Sequence, residues 1–95
     1  MRDTVQYIFK LFVADNAANS VQALANLRAI CKSHLPHRHQ IEVVDVFAQP
    51  ERALSENIFM TPTLVMVHPG PTRRLVGNLS HTATVLLTLG IELPA

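Results

Sequence analysis

Ninety-five residues suffice for one domain, and a chain of this length buries roughly 60–65% of its unfolded surface, so its folded state is marginal and oligomerisation is an expected supplement. Hydrophobic residues make up 48% and charged residues 16%, a composition that excludes a disordered chain. Eight Lys/Arg against seven Asp/Glu leave a formal net charge of +1, which removes the electrostatic case for nucleic acid or an anionic membrane.

Val5–Val13 (VQYIFKLFV) reads as the first strand. Val5, Tyr7, Phe9, Leu11 and Val13 share one face, while Ile8 and Phe12 make the other partly apolar, so a central strand covered on both sides is expected. Ala14–Asn19 is a polar loop, and either Asn19 or Ser20 is positioned to cap a helix. Val21, Leu24, Leu27 and Cys31 recur at helical spacing, with Ile30 beside them; Leu35 extends the stripe and Pro36 ends it. Gln22, Asn26, Arg28 and Lys32 mark the solvent face. A basic, His-rich turn follows, and Ile41–Phe47 is a second strand. A strand, a full-length helical crossover and a strand predict a parallel pair.

In the second half, Pro50 opens a short helix to about Asn57, with Glu51 near its positive end. Thr63–Val67 is strand-like, Pro69-Gly70-Pro71 is a turn, and Arg73–Val76 is a short antiparallel partner. Ser80 is placed to cap a last helix, His81–Leu89, closed by Gly90. Thr82, Thr84, Val85 and Thr88 are mediocre helix formers, so 83–89 also reads as a buried strand. The simplest order is βαβαββα, an α/β fold of one domain over residues 1–95. No apolar run approaches the roughly 20 residues of a membrane span, and the first residues lack the apolar region of a signal peptide, so a soluble, cytoplasmic domain is expected.

Chemistry-bearing motifs are few. Met60-Thr61-Pro62-Thr63 joins a helix to a strand, and in this element order Pro62 resembles the cis-proline of the thioredoxin superfamily; the other reading is a trans proline that starts an edge strand. Thioredoxin chemistry needs a thiolate where the first helix begins, but 15–20 reads Asp-Asn-Ala-Ala-Asn-Ser. Cys31, the sole cysteine, lies about three turns later on the apolar stripe and reads as a small core residue. His34, His37 and His39 cluster near it, but their spacing is not that of a zinc site and a solvated turn is expected. Asp45, between Val44 and Val46, reads as a strand-end carboxylate that hydrogen-bonds nearby backbone. No phosphate-binding glycine loop or nucleophile motif is present. Neither catalytic residues, nor a cofactor, nor a metal are expected. This inventory favours a binding module over an enzyme.

The strings Lys10-Leu11-Phe12-Val13-Ala14, Asn19-Ser20-Val21 and Ala23-Leu24 resemble the KaiB family of bacterial circadian clock proteins. The likeness continues through Val43-Val44-Asp45-Val46, Gln49-Pro50, Thr61-Pro62-Thr63-Leu64, Pro69, Pro71, Arg73-Arg74 and Gly77-Asn78-Leu79-Ser80. It spans about residues 5–90. The sensory domain of the SasA-type clock kinase is similar, with a poorer match in the first helix and around Arg73-Arg74.

The resemblance implies a non-catalytic subunit that binds the ring of a KaiC-like ATPase and modulates its phosphorylation cycle. It implies a thioredoxin-like fold when bound. When free, it implies a dimer or tetramer with the order βαββααβ, in which the second half is refolded. Lys10, Arg73 and Arg74 become candidate partner contacts; Pro62, Pro69 and Pro71 become candidate cis or switch prolines. A KaiA-like protein or a histidine kinase is a further implied partner. Against that stand Gln22 and Glu42, where cyanobacterial relatives usually carry basic residues. Asp15-Asn16, Asn78 and Thr88-Leu89-Gly90 depart from the family pattern too. These departures fit a diverged homologue, with a KaiC-like partner but no KaiA, that serves stress adaptation or timing without a self-sustained rhythm. A dithiol reductase of the thioredoxin class is the remaining, weaker alternative.

Overall fold

A computed structural model describes residues 5–91. Seven elements follow in the order β1 (Tyr7–Val13), α1 (Ala18–His34), β2 (His39–Asp45), α2 (Pro50–Ser55), β3 (Thr63–His68), β4 (Arg73–Val76) and α3 (Thr82–Leu89). This is the predicted βαβαββα order.

The four strands form one sheet, β2-β1-β3-β4. β1 and β2 are parallel, with Tyr7 opposite His39 and Val13 opposite Asp45, as the α1 crossover requires. β3 runs antiparallel to β1, with an irregularity between Ile8 and Phe9, and β4 runs antiparallel to β3. β1 is therefore interior. The edges are β2 and β4, the latter only four residues long and opening on Arg73 and Arg74.

The period-two alternation of β1 divides the molecule into two cores. Phe9, Leu11 and Val13 point to the face where Leu27, Ile30, Cys31 and Leu35 of the α1 region meet Val85, Leu86 and Leu89 of α3. Phe12 points the other way, into a smaller cluster with Val44, Ala53, Ile58 and Val65 under α2. The second face of β1 is thus sealed at one end only: Phe12 is fully buried, Ile8 and Lys10 are half-buried.

The apolar stripe of α1 is rotated at its start relative to the sequence reading. Ser20 and Ala23 are buried, Leu24 is half-buried and Val21 is exposed. Small side chains at 20 and 23 let the first turns lie close to β1, a role hydropathy does not report. Ser20 is also not a cap, nor is Asn19: the helix starts at Ala18 after Ala17, with no side-chain cap. The Ser20 Oγ instead accepts the Ala14 N–H at 3.1 Å and closes the β1–α1 loop. Asn26 lies on the predicted polar face but donates to the Asn78 carbonyl at 2.8 Å, tying α1 to the loop before α3.

Two boundaries shift. β2 begins two residues early and ends at Asp45, leaving Phe47 exposed. α2 carries Pro50 at its start but ends at Ser55, before Asn57 takes a left-handed φ of 58°. The ambiguous 83–89 segment is helical. Val85, Leu86 and Leu89 reach the larger core from one face of α3, so tertiary packing overrides weak local preference. His81, not Ser80, occupies its N-cap position, again without a side-chain cap, and Gly90 closes the helix at φ 72° as expected.

Candidate functional site

Lys10 stands on the α2 face of β1, in one row across the sheet with Glu42 of β2, Val65 of β3 and Arg74 of β4. The Lys10 ammonium contacts both carboxylate oxygens of Glu56, just past α2, at 3.1 Å. Arg52 of α2 forms a fork on Glu42, at 2.6 and 3.0 Å, and lies 3.9 Å from Glu56. The Arg52 hydrogen bond holds the Glu42 carboxyl below its ordinary range. Arg74 donates to the carbonyls of Glu56 and Asn57, the latter at 3.2 Å. Lys10 and Arg74 are thus brought together around the end of α2.

Arg73 is not part of that group. Adjacent strand residues point to opposite faces, so its guanidinium reaches the other side and donates to the Thr88 carbonyl at 3.3 Å, near the α3 terminus. A cation among the last carbonyls of a helix is favourably placed. The three candidate contacts therefore occupy two surfaces.

The Thr61–Pro62 peptide is cis, as are the bonds to Pro69 and Pro71. Pro62 is buried at the head of β3; its carbonyl accepts the Gly77 N–H at 2.9 Å, and the Thr63 hydroxyl donates to the Met60 carbonyl at 2.6 Å. Beside this turn lies an apolar surface that the sequence reading missed. Phe59 is 80% exposed and Met60 63%, beside exposed Val76. The signal was Phe59-Met60 directly before the Thr-Pro-Thr turn, which periodicity treats as loop.

The remaining candidates behave structurally. Cys31 is fully buried, and desolvation pushes its thiol up to about 12, so it stays protonated and inert. His39 Nδ1 lies 2.8 Å from the Leu35 carbonyl and His68 Nδ1 lies 2.7 Å from that of Gln6. Among the described residues no three His, Cys, Asp or Glu side chains converge. Asp45 Oδ1 accepts the Phe47 N–H at 2.9 Å, the backbone role predicted for it. An open cleft of about 460 Å³ lies between the start of α1 and β2, walled by Val13, Val21, Leu24 and Val43. Asp15 and Asn16 of the β1–α1 loop also line it.

The KaiB domain family model matches residues 10–91, nearly all of the described chain. The chain belongs to the KaiB family. It is 39% identical over 89 residues to the circadian clock protein KaiB3 of Synechocystis, covering 94% of this chain and 87% of that one. To a circadian clock oscillator protein KaiB of Prochlorococcus marinus it is 41% identical over 85 residues, covering 90% and 81%. Among solved structures, the N-terminal domain of Synechococcus elongatus SasA superposes with a TM-score of 0.74 at 20% identity, covering 100% of this chain and 93% of that domain. Chloroplastic thioredoxin z gives 0.74 at 17% identity, covering 90% and 77%. The fold of this KaiB-family chain is thioredoxin-like. Among the described residues no helix is long and apolar enough to cross a membrane.

In this KaiB-family chain Lys10, Arg73 and Arg74 each contact groups of the protein itself. The β1–α1 loop, the reactive corner of a thioredoxin, is closed by Ser20 and carries no sulfur.

Proposed function

We propose that this chain is a non-catalytic, cytoplasmic regulatory subunit that binds the ring of a KaiC-type ATPase and modulates its phosphorylation cycle. The observation that carries this reading is the match to proteins named as circadian clock proteins, at about 40% identity over at least 90% of the chain. The buried, neutral Cys31 supports a binding role over thiol chemistry. Lys10 and Arg74 on one face, and Arg73 on the other, are the proposed polar contacts, and buried Pro62 fixes the backbone entering β3 between them.

A homologue that serves stress adaptation without a KaiA partner is the second reading. Glu42 favours it: it places an exposed carboxylate on edge strand β2, where cyanobacterial relatives usually carry a basic residue.

The test is a binding time course. The purified protein is mixed with the KaiC-like ATPase of the same organism and ATP, and complexes are followed by size-exclusion chromatography over hours. A complex, weakened by Arg73→Gln or Arg74→Gln, is expected. No complex with either phosphorylated or unphosphorylated ATPase sinks the clock role and leaves the fold assignment standing.

A further inference from the structure

α2 is held to the sheet in an unusual way. Six residues are too few for a helix to persist on its own, so docking must stabilise it. Its apolar contribution is small: Ala53 is its one buried residue, Leu54 is exposed, and only Ile58 beyond its end adds a second buried side chain. Polar contacts supplement it. Arg52 grips Glu42 of β2, Lys10 of β1 grips Glu56, and Arg74 of β4 holds the carbonyls of Glu56 and Asn57. Three strands thus each supply one charged side chain to the same short segment. Glu51, also on α2, is exposed and joins none of these pairs.

We propose that α2 is an ionic latch over the smaller core, released by salt and by an acidic peptide that draws Lys10 or Arg74 away from it. Opening uncovers Phe12, Val44 and Val65, an apolar surface otherwise closed. The pairs are partly exposed, so each is weak alone and screened by ions, which is what a reversible latch needs. A carboxylate brought to Lys10 from outside competes directly with Glu56. This acidic-peptide half rests on Lys10 and Arg74 being partner contacts; the salt half does not.

Amide hydrogen exchange on the full-length protein tests both halves. At roughly 0.5 M sodium chloride, where screening reaches only a few ångströms, amides of residues 53–58 exchange about three- to tenfold faster than at low salt, while those of β1 and β3 do not change. Glu56→Gln exchanges faster at low salt and keeps only the part of the salt response that the Glu42–Arg52 pair carries. Lys10→Met, which keeps the apolar stem, matches it and guards against a folding defect in the first variant. An unchanged rate at 53–58 in the native chain, or a full salt response in both variants, overturns the latch. At matched ionic strength an oligoglutamate peptide speeds exchange at 53–58 in the native chain and not in Glu56→Gln. No effect of the peptide overturns the acidic-partner half even if the ATPase binds.

Discussion

The two faces of the sheet are held by different forces. Behind α1 and α3, fifteen buried residues form one continuous cluster and the charged groups lie outside it. Under α2, five buried residues are roofed by a six-residue helix, and a chain of ions from Glu42 through Arg52 and Glu56 to Lys10 runs along its rim. Burial of a Leu or Phe contributes about 1.5–3 kcal/mol and is not screened by salt. An exposed ion pair contributes about 0–1 kcal/mol and depends on both salt and pH. One side of the molecule is therefore set for permanence and the other for adjustment.

The largest effect belongs to the larger core. Phe9→Ala removes a fully buried ring from β1 and is expected to cost about 3–5 kcal/mol, a large share of the stability of a domain this size, seen as a lowered urea midpoint. If its cost fell below that of changes under α2, the contrast between the two faces would collapse.

Ile58→Ala sharpens the contrast from the other side. Its cost is set at about 2 kcal/mol, the low end for such truncations, because the site borders solvent and can collapse. The loss is expected to be local: hydrogen exchange rises at 53–58 and stays slow in β1. Uniform acceleration would show that the two cores open together.

The smallest effect is on acid stability. Arg52 favours the ionised form of Glu42 in the folded chain, lowering its pKa from the ordinary 4.5. As pH falls the unfolded chain takes up this proton first, so the contribution is fully present above about 4.5 and is lost as pH drops through the lowered folded value. Unfolding followed from pH 7 downward should show a steeper loss below that point in the native chain than in Glu42→Gln. Parallel curves would remove the Glu42–Arg52 pair from the account.

These differences also explain what the sequence could and could not convey. The alternation in β1, the α1 stripe around Leu27 and Cys31, Pro50 opening a helix and Gly90 closing one are local signals, and they were legible. The start of α1 was not, because Ser20 and Ala23 are buried for their small size and not for their hydropathy. The helical state of 83–89 was undecided locally; contacts of Val85, Leu86 and Leu89 with distant residues settle it. Lys10, Arg73 and Arg74 were picked out by resemblance, but their separation onto two faces depends on strand alternation and pairing. The ion chain under α2 was invisible, since Lys10 and Glu56 stand 46 positions apart. The exposure of Phe59 and Met60 has the same origin, as nothing local says that no element covers them.

The free edge of the sheet at β4 has one more consequence. An open strand invites further strands from other molecules, and proteins discourage this with short, charged edges. β4 has four residues, two of them arginines on opposite faces, so a second copy approaching strand to strand meets like charge whichever way it turns. The arginines proposed to welcome a partner are therefore also expected to discourage strand-to-strand self-association, and replacing both at once is expected to raise light scattering of the concentrated protein.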